Sequence, residues 1–448
     1  MCISAAEAWR TGEGTMSHSM KDGSDGSHQV YKEGGRSAVV ILTLLCLTYA
    51  FDYTDRMIVA SLLPFIKQDW GLSDQLLGSL SGIVSLFIAI FVIPLSLIVD
   101  RWSRRKMVAI MVFFWSLATI GCAFARNYEE LLLARALTGI GEAGYAPAAI
   151  AIIAAAFPRE RRAIAVGIWD AFAPIGAAVG FIVGGYVGLH YGWQHAFGLV
   201  GIPGIVLAIL YWFTRDYRTV PLEAVAEKTG NMAAALWSSI RQLFGIPTLW
   251  FVYIAFAMNI AVTTPVMTWF PSYLNRFHGM DQQRAGSITA LLAMMLLVGA
   301  PLGGYLADRW MKKRSDARMI FSGITSLAAA VLFGMAFLFP HSMLFLPSMV
   351  FFGILSVAFL APAAAVIQDV VHPGMRALAY GLCVVCQHIL GASWSPMLIG
   401  GISDHIGLER ALLVTPVFGI VACVLFLVGA RYYERDLGRV KNVVLLNE

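Results

Sequence analysis

The chain has 448 residues, of which 58% are hydrophobic and only 13% are charged, and its formal net charge is +5. Soluble domains carry about 25% charged residues, so this composition excludes a soluble protein and indicates a polytopic membrane protein. The positive charge does not indicate nucleic acid binding, because Lys and Arg mark the cytoplasmic side of such proteins.

Residues 1–36 are polar and rich in Gly and Ser, with no apolar run. We therefore expect a disordered cytoplasmic tail that is neither a signal peptide nor a membrane span.

Twelve apolar segments follow, each long enough to cross about 30 Å of hydrocarbon as a helix. The predicted fold class is thus all-α with twelve transmembrane helices. Most Lys and Arg residues fall in the loops on the side of the N terminus, which predicts that both termini are cytoplasmic in a bacterial-type inner membrane. The predicted spans are 38–63, 76–99, 107–125, 130–156, 163–188, 195–213, 249–274, 286–307, 319–339, 343–367, 377–400 and 411–432.

The chain contains an internal duplication. A long apolar run ends in an Asp-Arg pair and a basic cluster twice, at Asp100 and at Asp308. Repeated six-helix units are one layout of secondary transporters. The predicted domains are a tail (1–36), a first six-helix bundle (37–214), a cytoplasmic linker (215–247), a second bundle (248–434) and a second tail (435–448).

The two repeated segments are predicted to gate the cytoplasmic side and to anchor the topology. We expect Asp100 to approach the helix start near Met375, and Asp308 to approach the one near Arg162, in contacts that break when this side opens. The gating residues are Asp100, Arg101, Arg104, Arg105, Asp308, Arg309, Lys312 and Lys313.

Ionisable residues at membrane depth are costly and usually mark function. Six of them lie in the first half: Asp52, Asp55, Arg56, Arg135, Glu142 and Asp170. Acids and arginines on facing helices can exchange partners when one carboxylate takes up a proton, which is a basis for proton coupling.

We predict Asp55 and Glu142 as proton acceptors, with Arg56, Arg135 and Asp52 as charge partners or anion-binding groups. The alternative is that these residues form structural ion pairs between helices 1 and 4. Asp170 either belongs to the functional set or anchors a loop arginine such as Arg101 or Arg162.

Gly304–Arg309, with the basic cluster that follows it, resembles the helix 8–9 signature of the major facilitator superfamily, and Ser96–Lys106 is a looser copy. Arg135–Gly139 resembles the helix 4 motif of this family. The resemblance implies two pseudo-symmetric bundles and a central cavity bordered by helices 5, 7 and 11. Cavity-lining positions are accordingly predicted for Trp169, Trp269, Tyr273 and Trp394. Gln368 and His388, which are among the few polar residues of the second half near membrane depth, are also predicted to line the cavity.

Tyr53–Arg56, together with Gly141–Ala143, is similar to two branches of that superfamily. One is the Spinster-like branch of lysolipid and sphingoid carriers, and the other is the organic anion:cation symporter branch. In either, the resemblance makes Asp55, Arg56 and Glu142 the coupling set.

The predicted function is proton-coupled transport of an anionic amphiphile or lysolipid-like substrate by alternating access. The alternative is a proton symporter of small organic anions such as sugar acids or carboxylates, and a remote one is a non-transporting membrane sensor. No Walker motif, metal-ligand set or hydrolase motif occurs, so we expect no enzyme activity and no cofactor beyond the proton gradient. The expected partners are the substrate and the lipid bilayer, and the default oligomeric state is a monomer.

Overall fold

The structure is a computed structural model that describes residues 35–101, 103–214, 240–372 and 375–439. In these ranges, twelve helices are long and apolar enough to cross a membrane, which confirms the predicted fold class. Most of the predicted tails and most of the predicted linker lie outside the described residues, and residues 435–437 of the second predicted tail instead continue the last helix. The helices, α1 to α12, span Arg36–Trp70, Asp74–Ser96, Arg104–Cys122, Tyr128–Ala156, Ile164–Tyr191, Trp193–Phe213, Pro247–His278, Gln282–Met311, Ala317–Leu338, Phe345–Asp369, Leu378–Ile406 and Leu408–Leu437.

Helices α1 and α7 are longer than the apolar segments that predicted them. Each continues past its last apolar residues, because backbone hydrogen bonds within a helix do not require apolar side chains. Each ends at a glycine in the left-handed conformation, Gly71 with φ 63° and Gly279 with φ 62°. Glycine adopts this conformation without a Cβ clash and so terminates the helix.

Several helices are interrupted by turns. A turn at Ala143 divides α4 directly after Glu142, and a turn at Ala171 divides α5 directly after Asp170. In α11, His388–Ala392 form a π-helical turn, and the N–H of Ser393 donates to the carbonyl oxygen of His388 at 2.9 Å. Because π-helical turns within α-helices are frequent at functional sites, this turn is a candidate for function.

Glycines allow α1 and α5 to approach closely. A Cβ at Gly176 would lie 2.0 Å from the carbonyl oxygen of Ala50, and one at Gly180 would lie 2.6 Å from that of Thr54. The Thr54 hydroxyl donates to the carbonyl oxygen of Gly176 at 2.9 Å. Small residues at such spacing bring membrane helices into backbone contact, and here they do so beside the charged residues of α1.

The two halves of the chain pack tightly at one end. A Cβ at Gly78 of α2 would lie 2.3 Å from the carbonyl oxygen of Pro396, and one at Gly82 would lie 2.0 Å from that of Ser393. Both partners belong to α11, which carries the π-helical turn. We call this end, where α1 finishes and α2 begins, the Asp74 end, and the opposite end the Arg36 end.

A second backbone contact closes the same end between α5 and α8. A Cβ at Gly185 would lie 2.4 Å from the carbonyl oxygen of Gln282, and a Cβ at Gly286 would lie 2.4 Å from that of Phe181. The Asp74 end is therefore sealed by two helix pairs, each with one helix from each half.

We expect Gly82→Ala to lower the melting temperature of the purified protein, because a methyl group at this site overlaps the Ser393 carbonyl. Overpacking of this kind costs about 1–3 kcal/mol. Gly121→Ala in α3 is the matched control, since no atom lies within 4 Å of its Cβ position. Equal melting temperatures for the two variants would contradict the close contact.

Candidate functional site

Arg56 of α1 is the centre of one group of charges. Its Nε lies 2.9 Å from Oε2 of Glu142 in α4, and its Nη2 lies 3.2 Å from both carboxylate oxygens of Asp52. The side chain of Arg56 is 20% exposed, whereas those of Asp52 and Glu142 are 1% and 0% exposed. One partly exposed guanidinium is thus shared by two buried carboxylates.

Asp55 belongs to a second, separate group. Nη1 of Arg135 lies 3.1 Å from Oδ2 of Asp55 and also donates to its backbone oxygen at 3.4 Å. The hydroxyl of Thr119 in α3 donates to Oδ1 at 2.9 Å. Asp55 and Arg135 are almost fully buried, so this group ties α1 to α3 and α4 away from solvent.

The structure therefore brings together the predicted charged residues, but as two sets rather than one. Glu142 pairs with Arg56, although it shares a helix with Arg135. The sequence could not show this, because pairing depends on how α1 and α4 are rotated about their axes. Thr119 was missed, since nothing in the sequence distinguishes it from other hydroxyl residues in apolar helices.

An aromatic surface extends from Arg56 toward the Arg36 end. The guanidinium carbon of Arg56 lies 5.3 Å from the ring centroid of Tyr53, and the rings of Tyr53 and Tyr49 are 5.1 Å apart. Tyr49 in turn stacks on Trp169 of α5 at 4.1 Å. Trp169, predicted to line the cavity, is buried beneath Tyr49 and supports it.

Two polar residues of the second half, His388 and Tyr380, lie in α11. His388 is partly exposed, and its Nδ1 has no hydrogen-bond partner among the described residues. The π-helical turn thus begins at a polar side chain whose Nδ1 is left unpaired by the described residues.

Trp269 and Tyr273 do not occupy their predicted cavity-lining positions. Both are fully buried. The indole of Trp269 donates to the carbonyl oxygen of Pro396 at 3.0 Å, and the ring of Tyr273 lies 4.6 Å from that of Phe337. Both face packed neighbours near the Asp74 end, because spacing on a helix reveals a shared face but not what that face contacts.

The remaining predicted cavity residues are partly buried. The backbone oxygen of Gln368 accepts a hydrogen bond from Nε of Arg376 at 3.0 Å. Trp394 packs edge-on against Phe418, with ring centroids 5.4 Å apart.

The predicted contact of Asp308 with the helix start near Arg162 is not the one observed. Oδ1 of Asp308 instead accepts hydrogen bonds from Nε and Nη2 of Arg318 at 3.0 and 2.8 Å. Arg318 also pairs with Asp369 at 2.6 Å. Arg162 donates to the backbone oxygen of Phe157. Asp308 therefore pairs within the second half, as expected for a gate that is not engaged across the halves.

The other gating residues show no common arrangement. Arg309, Lys312 and Lys313 are exposed at the Arg36 end, and Arg104 and Arg105 are partly buried. The side chains of Asp100 and Arg101, with the predicted contact of Asp100, lie outside the described residues.

A charged network at the Asp74 end was not predicted. The buried carboxylate of Asp74 accepts hydrogen bonds from both terminal nitrogens of Arg276 at 2.7 Å, from Lys67 at 2.6 Å and from Ser403 at 2.6 Å. Arg276 and Ser403 belong to the second half. Bidentate pairing with a guanidinium is among the strongest polar contacts in proteins, so Asp74 joins the two halves of the chain. We call this set of contacts the latch.

Asp404 completes this latch. Its carboxylate oxygens accept hydrogen bonds from the backbone N–H groups of Asp74 and Gln75, at 2.7 and 3.0 Å. These N–H groups begin α2, so a carboxylate of one half caps a helix of the other. The sequence held one signal: an acid near the C-terminal end of α11 is unfavourable with its own helix dipole and therefore indicates an outside partner.

The described residues thus form twelve membrane-length helices. Charges are paired between α1 and α4, and the contacts of Asp74 join the two halves. The model of the Major Facilitator Superfamily matches residues 45–396. The chain belongs to the Major Facilitator Superfamily. Within it, the resemblance to Spinster-like proteins is confirmed by the relatives that it matches.

One such relative is Protein spinster homolog 1 of Xenopus laevis, 28% identical over 93% of this chain and 85% of that protein. A probable sulfoacetate transporter of Cupriavidus necator is 29% identical over 66% of this chain and 71% of that protein. Among solved structures, an inward-facing, unoccupied bacterial homolog of the human lysosomal transporter Spinster aligns with a TM-score of 0.77. It is 24% identical, with 90% of this chain and 99% of that chain covered, and it supports the fold alone.

We expect Asp74→Asn to favour opening of the Asp74 end. The change leaves the Arg276 guanidinium without its anionic partner, and loss of one member of a buried pair costs about 3 kcal/mol or more. Spin labels at Phe124→Cys and Met343→Cys, two exposed positions at this end in different halves, would report the opening in a cysteine-free background. A longer distance population is expected.

Asp281→Asn is the matched control, because Asp281 is a half-exposed carboxylate at the same end. An unchanged distance distribution in Asp74→Asn would show that the latch does not hold the closed state.

Proposed function

We propose that the protein is a proton-coupled secondary transporter of an anionic amphiphile or lysolipid-like substrate. The observation that carries this proposal is the placement of Arg56: its side chain is 20% exposed, yet its guanidinium is already paired with Glu142. A substrate anion and Glu142 therefore compete for the same cation.

This competition couples proton binding to substrate binding. Neither carboxylate oxygen of Glu142 accepts a regular hydrogen bond among the described residues, so its charge depends on the neighbouring guanidinium. When an anion draws Arg56 away, Glu142 lies buried without compensation and favours its protonated form. When the proton leaves, the ionised Glu142 regains Arg56 and displaces the anion. Proton and substrate thus move together.

Asp55 is the second proposed proton acceptor, but its contacts differ from those of Glu142. It has a guanidinium and a hydroxyl donor of its own, both buried. We therefore expect substitution of Asp55 to impair folding as well as coupling.

For orientation, we propose a bacterial-type inner membrane with both termini in the cytoplasm. The exposed cluster of Arg309, Lys312 and Lys313 at the Arg36 end supports this, since basic loops stay on the cytoplasmic side. With this orientation, the sealed Asp74 end would face outward.

The second candidate function is proton symport of a small organic anion. The likeness to a probable sulfoacetate transporter favours it, and the same competition at Arg56 would serve it. The candidates differ in what the cavity must hold: an amphiphile needs an apolar surface beside the charge, whereas a small dianion needs further cations. A non-transporting sensor would show no substrate-driven proton movement at all.

The test is proton uptake by proteoliposomes that contain a pH dye, with lysolipids and then sulfoacetate or sugar acids supplied outside. We expect a lysolipid to drive proton movement in the wild type. Glu142→Gln should abolish this movement, because glutamine cannot take up the proton, while substrate binding at Arg56 persists.

Glu129→Gln, which removes an exposed carboxylate at the Asp74 end, is the matched control and should behave as wild type. Substrate movement without protons, unchanged by Glu142→Gln, would contradict proton coupling. A response to small acids and not to lysolipids would select the second candidate.

A further inference from the structure

The latch is divided unevenly between the two halves of the chain. Three side chains hold the carboxylate of Asp74: Lys67 belongs to the first half, and Arg276 and Ser403 belong to the second. When the halves separate at the Asp74 end, as the proposed alternating access requires, Asp74 keeps Lys67 because both lie in the first half. Arg276 keeps no anion, since Asp74 is the carboxylate with which it pairs among the described residues.

An arginine that loses its carboxylate in this way becomes a site for another anion. The guanidinium stays charged, because it cannot be deprotonated in a protein. The side chain of Arg276 is already 25% exposed with Asp74 in place, so it faces solvent once Asp74 has left. A guanidinium with both terminal nitrogens available binds a carboxylate or a phosphate group through two parallel hydrogen bonds.

The hydroxyl of Ser403 adds a third donor from the same half. Oδ2 of Asp74 accepts hydrogen bonds from Nη1 of Arg276 at 2.7 Å and from the Ser403 hydroxyl at 2.6 Å, while Oδ1 accepts one from Nη2 at 2.7 Å. We call these three groups the Arg276 donors. They converge on two oxygens of one anionic group, so the carboxylate or phosphate of a substrate matches the place that Asp74 occupies in the closed state.

Contacts within the second half keep the Arg276 donors in position. The guanidinium carbon of Arg276 lies 6.0 Å from the ring centroid of Trp269, and the indole of Trp269 donates to the carbonyl oxygen of Pro396 at 3.0 Å. Trp269 in α7 thus contacts both Arg276 and α11, the helix that carries Ser403. Because these contacts all lie within the second half, they persist when the halves separate.

We propose that Arg276 and Ser403 form a second anion-binding site, which takes the anionic group of the substrate when the Asp74 end is open. This inference rests on the proposed function and adds a site to it. In the closed state Asp74 occupies this site, just as Glu142 pairs with Arg56. Substrate binding at Arg276 and closure of the Asp74 end therefore exclude each other. The anion has to leave Arg276, toward Arg56 or toward solvent, before this end closes.

The test measures whether an anion holds the Asp74 end open. Spin labels at Phe124→Cys and Met343→Cys, in a cysteine-free background of the full-length protein, report the distance across this end. The probes are hexyl phosphate, an anionic amphiphile, and hexanol, a neutral molecule with the same chain. In Asp74→Asn, hexyl phosphate at ten times its dissociation constant for the open state should raise the ratio of open to closed molecules about tenfold. Hexanol should leave this ratio unchanged.

Double variants assign the effect to the Arg276 donors. Asp74→Asn/Arg276→Gln retains Arg56 and should respond to hexyl phosphate no more than to hexanol. Asp74→Asn/Ser403→Ala should need an about tenfold higher concentration, because one hydrogen bond to a charged group is lost. Asp74→Asn/Asp281→Asn is the matched control, since Asp281 is a half-exposed carboxylate at the same end, and it should respond as Asp74→Asn does.

A further variant makes the test independent of a substitution at Asp74. Asp404→Ala removes the carboxylate that caps α2, and so weakens the latch while Asp74 and Arg276 stay in place. Hexyl phosphate should raise the open population of this variant by the same factor, and Arg276→Gln should abolish the rise.

An equal response to hexyl phosphate with and without Arg276 would overturn the proposal, as would the absence of a response to both hexyl phosphate and sulfoacetate. Sulfoacetate carries an anionic group without the alkyl chain, so a response to either probe supports the site, and the comparison tells the two substrate classes apart. Failure of the proposed function appears elsewhere: proton uptake that survives Glu142→Gln removes the coupling but leaves the response at Arg276.

Discussion

The ion pair between Arg56 and Glu142 is the constraint on which the rest of the site depends. A guanidinium cannot be deprotonated in a protein, and a charge at membrane depth is costly without a counter-charge. Arg56 must therefore always have an anion beside it, and Glu142, Asp52 or a substrate can serve. Because Glu142 is the one of these held on another helix, any exchange of partners at Arg56 changes how α1 and α4 interact. The coupling that we propose thus follows from the position of one permanent charge.

Two kinds of contact hold the helices together, and they differ in whether the helices can separate. Within the first half, the glycines of α5 place its backbone against α1, so these helices move as one body and keep the aromatic rings aligned with Arg56. Between the halves, the backbone contacts at Gly78 and Gly82 are reinforced by the hydrogen bonds of Asp74 and Asp404. Charged groups can exchange their hydrogen bonds for hydrogen bonds to water when an end opens. The packed apolar surfaces within a half gain no equivalent contacts with water. The latch therefore lies between the two halves, which must separate at this end in the proposed alternating access.

The fold and the charged residues of the site could be predicted from the sequence, because the bilayer restricts both the length of a span and the residues within it. Spans of about 20 apolar residues are visible in any hydropathy window, and acids such as Asp52 and Glu142 stand out because ionisable residues are rare there. The partners could not be predicted, since the pairing of Glu142 with Arg56 depends on helix rotation. Asp74 was missed for a different reason: a carboxylate near a helix end is ordinary in sequence, and only the fold shows it buried against Arg276. Trp269 and Tyr273 share a helical face as expected, yet that face is packed.

The charge balance across the cavity relates the coupling to the substrate. With all groups ionised, the four carboxylates predicted at membrane depth in the first half exceed the two guanidiniums there, so the empty site carries excess negative charge. A substrate with only an anionic group would add to this excess, and closing the cavity around it would bury the surplus at a high electrostatic cost. A proton on Glu142 reduces the excess. In the proposed mechanism, a carrier that has bound both the anion and a proton therefore occludes at lower electrostatic cost than one that has bound the anion alone, and this difference is what obligatory coupling requires.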